Sequence, residues 1–185
     1  KKNVTLGFAL NIRPVKDPNL IKDVIDIICK KTNYKFLIAG RDKNNFWSNL
    51  AKKYPTRLRY MNFIDPKKMF YFYNSIDLLL MTSKSEGSPN VVLEALSNGV
   101  PTVSVPIKAN EGIVINNYNG VIINNRDPNK FFNGVINAIR VRKKLSKNSK
   151  LYFKKKFDIN KNLNKLRKIF WKKLFCLVDI LNQLL

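Results

Sequence analysis

The stretch Ser85-Glu86-Gly87-Ser88-Pro89-Asn90-Val91-Val92-Leu93-Glu94-Ala95-Leu96-Ser97-Asn98-Gly99-Val100-Pro101 decides how this chain is read. Ser88-Pro89 has the form of a helix start: a hydroxyl before a proline at the first helical position. Gly99 stops that helix, and Pro101 stands behind it. An apolar run, Leu78–Met81, precedes the stretch and another, Thr102–Val105, follows it. The local pattern is therefore strand, loop, helix, strand. The first amides of a helix have no partner within it, and the helix dipole adds positive charge there. Pro89 has no N–H, so the free donors are expected at Asn90, Val91 and Val92. Two carboxylates flank this start, Glu86 in the loop and Glu94 on the helix, with seven residues between them.

The same alternation extends in both directions. Val4–Ile12, Lys35–Ala39, Leu58–Asn62, Leu78–Met81, Thr102–Val105 and Val121–Ile123 are short runs, apolar on both faces, as expected of strands in a buried parallel sheet. Pro18–Lys31, Phe46–Tyr54, Pro66–Asn74, Pro89–Asn98 and Pro128–Val141 carry helical patterns between them, and a short helix is expected to start near Glu111. Asp17-Pro18, Asp65-Pro66 and Asp127-Pro128 repeat one device, a capping carboxylate before proline. This alternation predicts an α/β fold with a doubly wound parallel sheet.

The 185 residues suffice for one domain with a core, and 45% hydrophobic content is that of a globular chain. Beginning at Lys1-Lys2, with no initiator Met and no signal peptide, the chain reads as a piece of a longer protein. Histidine is absent, which removes His-based general bases, catalytic triads and the commonest metal ligand. Cys29 and Cys176 lie far apart in apolar surroundings and read as core thiols of a reducing compartment. Thirty-five Lys and Arg against twelve Asp and Glu give a formal charge of +23. Such an excess attracts phosphorylated substrates, anionic lipid or nucleic acid; abundant Lys and Asn throughout is equally compatible with coding bias.

In an open α/β sheet, ligands bind beyond the carboxyl ends of the strands. The helix starting at Pro89 follows a strand through one loop, so its start faces that crevice, where a diphosphate fits. Glu94 shares a helix face with Asn90, and its side chain leans back toward the helix start. A carboxylate accepting two hydrogen bonds suits the vicinal hydroxyls of a ribose. Glu86 is placed to reach a sugar beyond the phosphates. Two glutamates at this spacing are common by themselves; the Gly-Ser-Pro-Asn insert and the Glu-Ala-Leu-Ser-Asn-Gly-Val-Pro continuation set this pair apart.

The stretch resembles the E-x(7)-E signature of family-4 glycosyltransferases, enzymes of the two-domain GT-B fold. Further segments fall in that family's order from about Leu6 to Phe157. Arg13-Pro14-Val15-Lys16 is similar to its phosphate-binding Arg and Lys, Phe36-Leu37-Ile38-Ala39-Gly40 to its second strand and glycine, Met69, Tyr73 and Asp77 to its Leu, Tyr, Asp pattern, and Glu111 with Asn119-Gly120 to its Glu and Asn-Gly pair. The chain departs from the pattern at Leu10 and Asn11, where the family carries Gly-Arg. Arg13 then substitutes from two residues later, the same face if the strand continues. It departs again at Asn62, where the family carries glycine, and at Lys108-Ala109-Asn110, which replace a glycine pair.

The resemblance implies a Rossmann-like donor-binding domain, one half of a GT-B enzyme, over residues 1–158, with the N-terminal acceptor domain absent from this chain. It implies a retaining transfer of a sugar from a UDP- or GDP-linked donor to a glycan or lipid-linked acceptor, in synthesis of surface polysaccharide or glycoconjugates. Glu86, Arg13 and Lys16 are then the catalytic group: Glu86 on the donor sugar, the two cations on the leaving diphosphate. Glu94 binds the ribose, Gly87, Ser88, Pro89, Asn90 and Val91 the phosphates and sugar, and Gly40, Asn62 and Phe63 complete the donor site. No cofactor or metal is expected, since a helix start and two cations stabilise a leaving diphosphate without one. The chain also lacks the Asp-x-Asp of the other major glycosyltransferase fold and the Gly-x-Gly-x-x-Gly of dinucleotide enzymes.

Residues 159–185 read as a basic amphipathic helix, with a stripe at Ile159, Leu163, Leu166, Phe170, Leu174, Leu177 and Leu181. From Arg140 to Lys173 there are fifteen Lys and Arg and one acid, Asp158. This helix is expected either to pack across the missing domain or to lie on an anionic membrane surface, its mostly apolar end being too short to span one. A cytoplasmic location follows, with a peripheral hold on the inner face of the plasma membrane under the second option, and no nucleic acid among the partners. The alternatives are a basic α/β module that docks on membrane or nucleic acid without chemistry, and half of a nucleotide-sugar epimerase.

Overall fold

The computed structural model describes residues 4–158, 161–164 and 166–167. Six parallel strands form one sheet: β1 (Thr5–Ala9), β2 (Lys35–Ala39), β3 (Leu58–Tyr60), β4 (Leu78–Met81), β5 (Thr102–Ser104) and β6 (Gly120–Ile122), in spatial order β3-β2-β1-β4-β5-β6. The chain winds outward from β1 to β3, returns to the other side of β1, and winds outward again. The doubly wound α/β expectation holds. The switch point lies between β1 and β4, paired through Leu6 with Leu78 and Gly7 with Leu79. β4 is buried along its whole length, which explains why it reads as a continuous apolar run.

The helices are α1 (Pro18–Lys31), α2 (Phe46–Lys53), α3 (Met69–Asn74), α4 (Asn90–Ser97), α5 (Pro128–Arg140) and α6 (Arg142–Lys156). α1 buries Leu20, Ile21, Val24, Ile25 and Ile28 and packs against α5; α4 packs against α6. The three Asp-Pro starts act as caps: Asp17 accepts from the Leu20 amide, Asp65 from Lys67 and Asp127 from Lys130. α2 has a cap the sequence did not suggest. Asp42 reaches forward to accept from the amides of Trp47 and Ser48 and from the Ser48 hydroxyl. Burial alone would raise the Asp42 carboxyl, but these donors outweigh it and hold it below the usual aspartate value.

Several boundaries move. β1 ends at Ala9, not Ile12, and β3 at Tyr60, because Asn62 turns into the left-handed region with φ 59°. The expected helix Pro66–Asn74 divides into a 3₁₀ turn, Pro66–Lys68, followed by α3. No helix starts at Glu111, where a 3₁₀ turn over Lys108–Asn110 ends instead. Cys29 is half-buried with its thiol titration pushed up by burial, in keeping with an unreactive packing residue. Of the expected amphipathic helix 159–185, residues 161–164 and 166–167 are helical, with Leu163 and Leu166 exposed. Cys176, Ile159 and the stripe from Phe170 onward lie outside the described residues. Among the described residues no helix is long and apolar enough to cross a membrane.

Candidate active site

At the switch point, two segments leave the carboxyl ends of neighbouring strands. One follows β1 and closes into a 3₁₀ turn, Pro14–Lys16, before Asp17 caps α1 with φ 57°. The other is the loop from Thr82 to Pro89, between β4 and α4. They are tied to each other. The Thr82 hydroxyl donates to the Lys16 carbonyl at 2.8 Å, and the Lys84 amide to the Val15 carbonyl at 2.7 Å. Across this seam the Lys16 ammonium pairs with Oε1 of Glu86, which also accepts from the Ser83 hydroxyl at 2.6 Å. Both charged side chains are largely withdrawn from water, at 17% and 14% exposure.

The start of α4 corrects the expected cap. Pro89 is the residue before the helix, not its first member, and its carbonyl receives the amides of Val92 and Leu93. The Ser88 hydroxyl turns to the Asn90 side chain and caps nothing. Val92 is therefore spent, and the amides without a partner among the described residues are those of Asn90 and Val91. The smaller donor set still presents a positive helix end.

Glu94 stands one helical turn beyond Asn90, exposed, and accepts from the Tyr73 hydroxyl at 2.8 Å. Tyr73 is buried in α3, and burial together with the adjacent carboxylate pushes its phenol well above the usual tyrosine value. It thus remains a hydrogen-bond donor at any pH of interest and holds Glu94 in one orientation. Tyr73 falls within the Met69, Tyr73, Asp77 pattern, but its distance of 21 residues from Glu94 hides the contact in the sequence.

A cleft of about 580 Å³ opens between these segments and the end of β2. Arg13, Lys16, Gly40, Phe63, Glu86, Ser88, Asn90 and Val91 line it, together with apolar Leu10, Ile64 and Met69. Glu94, Gly87, Pro89 and Asn62 do not. Gly87 is exposed with open space about it, and Pro89 is buried behind the helix start. Asn62 spends its side chain locally, accepting from the Phe63 amide and the Tyr60 hydroxyl, while its carbonyl receives the Gly40 amide. Gly40 has φ 138°, and a Cβ there would strike the Leu10 carbonyl, so only glycine lets these two chain segments cross beside the cleft.

Arg13 reaches the cleft for a reason other than strand alternation. β1 has ended four residues earlier, and Arg13 is an extended residue leading into the 3₁₀ turn, exposed and with no ion-pair partner among the described residues. Arg41, absent from the sequence reading, lies over the Phe63 ring at 5.2 Å. Asn119 and Gly120 serve the scaffold. The buried Asn119 side chain bonds the Ile115 amide and the Ile113 carbonyl, and a Cβ on Gly120 would meet the Thr102 carbonyl of the adjacent strand. Glu111 is exposed and lies outside the cleft lining.

The cleft therefore offers two cations, two free amides and a carboxylate to one ligand, a set matched to a diphosphate bearing a hydroxylated group. The model of the family described as Glycosyl transferases group 1 matches residues 1–168. An uncharacterized 41.2 kDa protein in the cps region of Klebsiella pneumoniae is 27% identical over 130 residues, 70% of this chain and 35% of its own length. Anabaena HepE, solved with UDP and glucose, superposes with a TM-score of 0.76 at 16% identity, over 92% of this chain and 48% of that one. TarM of S. aureus, solved with fondaparinux, alpha-GlcNAc-glycerol and UDP, gives 0.77 at 19%, over 91% and 35%. Sucrose-phosphate synthase from Thermosynechococcus elongatus gives 0.78 at 16%, over 94% and 46%. The chain thus spans half or less of the length of each of these proteins, and the structural likenesses concern the fold. The match over nine-tenths of the sequence, on a doubly wound sheet with its cleft at the switch point, makes this chain a member of the glycosyl transferases group 1 family.

Proposed function

We propose that this chain is the donor-binding half of a retaining glycosyltransferase that uses a UDP- or GDP-linked sugar and needs no metal ion. One observation carries the reading: Lys16 and Glu86, seventy residues apart, face each other at the switch point beside the free amides of Asn90 and Val91. In the reaction the bond between the anomeric carbon and the diphosphate oxygen breaks, an acceptor oxygen takes its place on that carbon, and the acceptor's hydroxyl proton passes to an oxygen of the leaving diphosphate. Charge builds on the leaving diphosphate. Lys16, Arg13 and the two amides line the cleft where that charge develops. Lys16 must leave Glu86 to do so, and Glu86 is then free to accept from a donor-sugar hydroxyl. Glu94, held by Tyr73, takes the ribose.

The acceptor is a glycan or lipid-linked glycan, the pathway that of surface polysaccharide or glycoconjugate, and the setting the cytoplasm. The complexes of HepE and TarM with UDP support the donor class. Calorimetric titration with UDP, GDP and ADP, in the presence and absence of EDTA, tests the proposal. UDP or GDP should bind, and chelation should leave affinity unchanged. No binding of any of the three at about millimolar concentration, a range typical of weak ligands, refutes the donor site.

A second contact is favoured by α6, which carries eight Lys and Arg and no acid. Such a helix suits an anionic membrane surface, which would keep the enzyme near a lipid-linked acceptor. Flotation with anionic and neutral vesicles decides this; equal recovery with both argues against it.

A further inference from the structure

Arg126 lies between β6 and α5, outside every segment that suggested a site. Its guanidinium donates three hydrogen bonds: Nη1 to Asp17 Oδ2 at 2.9 Å, Nη1 to the Thr82 carbonyl at 2.7 Å, and Nη2 to the Ser83 carbonyl at 2.8 Å. These acceptors belong to the two walls of the cleft. Asp17 directly follows Lys16, and the hydroxyl of Ser83 holds Glu86. Thr82 and Ser83 are buried, and their carbonyls have no other partner among the described residues. A planar fork spanning two successive carbonyls and a carboxylate is a task for arginine, not for the point charge of lysine.

We infer that Arg126 is the positioning residue of the diphosphate clamp: it locks the Lys16 turn to the Glu86 loop, so that cation, carboxylate and free amides are arranged before a donor arrives. The inference rests on the donor-site reading of the cleft. Its energetic logic is preorganisation. Losing the fork strands two buried carbonyls and leaves the walls joined, among the described residues, by the Thr82 hydroxyl, the Lys84 amide and the Lys16–Glu86 pair that a diphosphate must break. Displacements of about 1 Å in such a site cost up to ~10²-fold in function.

The test uses the 185-residue chain and its Arg126→Ala and Arg126→Lys variants. Calorimetry with UDP, GDP and inorganic diphosphate reads the clamp, and hydrogen exchange at the Lys84 amide reads the seam without any ligand. Arg126→Ala should weaken nucleoside diphosphate and inorganic diphosphate by the same factor, about tenfold or more. The Lys84 amide should exchange about tenfold faster while amides inside β1 and β4 hold their protection. Arg126→Lys, which keeps the charge and the Asp17 pair, should recover part of both. Affinity within about twofold of wild type for both anions, or unchanged protection at Lys84, overturns the inference. So does a loss confined to the nucleosides, which would place the damage at the base and ribose. If the parent chain binds none of the three anions, the donor-site reading falls, and the exchange measurement alone then decides whether Arg126 joins the two walls. Should Arg126→Ala fail to fold, the same comparisons on Arg126→Lys decide.

Discussion

Replacing Glu86 by Gln should make the chain bind nucleoside diphosphate more tightly, although Glu86 is itself assigned to the donor site. In the empty cleft Lys16 is already occupied by Glu86, and both side chains are at least four-fifths withdrawn from water. A diphosphate must draw Lys16 away and sit close to the carboxylate left behind. At an effective dielectric of about 20, unit charges about 4 Å apart interact by ~4 kcal/mol. Part of this is offset, because a partly buried ammonium without its partner has lost solvation too. A net gain of about 1–2 kcal/mol remains, or roughly 5- to 30-fold in Kd. Gln keeps the volume and still receives the Ser83 hydroxyl, so the loop stays in place. The assay is calorimetry at low salt with whichever of UDP and GDP binds the parent chain, repeated at high salt, where the gain should shrink. The increment that a donor sugar adds to affinity should fall in the same variant. Unchanged or weaker nucleoside-diphosphate binding by Glu86→Gln refutes the idea that Lys16 is held in reserve by Glu86.

Three further outcomes follow from particular contacts. Tyr73→Phe removes the donor that orients Glu94 and should weaken nucleoside diphosphate by about 1 kcal/mol; Glu94→Ala should match or exceed that. In both variants inorganic diphosphate should be unaffected, and equal losses for the two ligands in a titration would rule out the ribose role. Asp42→Ala should lower stability in urea by about 1 kcal/mol near neutrality, the worth of a helix cap. Because the folded carboxyl titrates below its ordinary 3.8, that contribution is whole above this value and lost as pH falls through the lower one. The gap between variant and parent should therefore close on acidification, and a gap independent of pH would contradict the assignment. Gly7→Ala in β1 puts a methyl group into Ile76 and against Phe72, and should cost about 1–3 kcal/mol in thermal unfolding while leaving the cleft at the switch point alone.

Local chemistry was legible wherever one segment supplies both cause and effect. The Asp-Pro starts of α1 and α5, the apolar run of β4 and the Gly99 stop all depend on neighbours in sequence, and the structure agrees with each. Local pattern misleads where a competing partner intervenes. Asn90 took the Ser88 hydroxyl, and the Pro89 carbonyl took the Val92 amide. It also misleads at Arg13, where β1 stops at Ala9 and strand alternation no longer applies.

The sequence by itself determined an α/β alternation, a helix start between two glutamates, and a basic pair after the first strand. Only the tertiary structure decided how these meet. Strand order brings Lys16 onto Glu86, the packing of α3 beside α4 sets Tyr73 under Glu94, and the return of the chain after β6 delivers Arg126 to the seam. Periodicity reports which face of an element is buried, because burial is averaged over many neighbours. A contact between charges 70 or 109 residues apart depends on a few ångströms of placement, which no local pattern encodes.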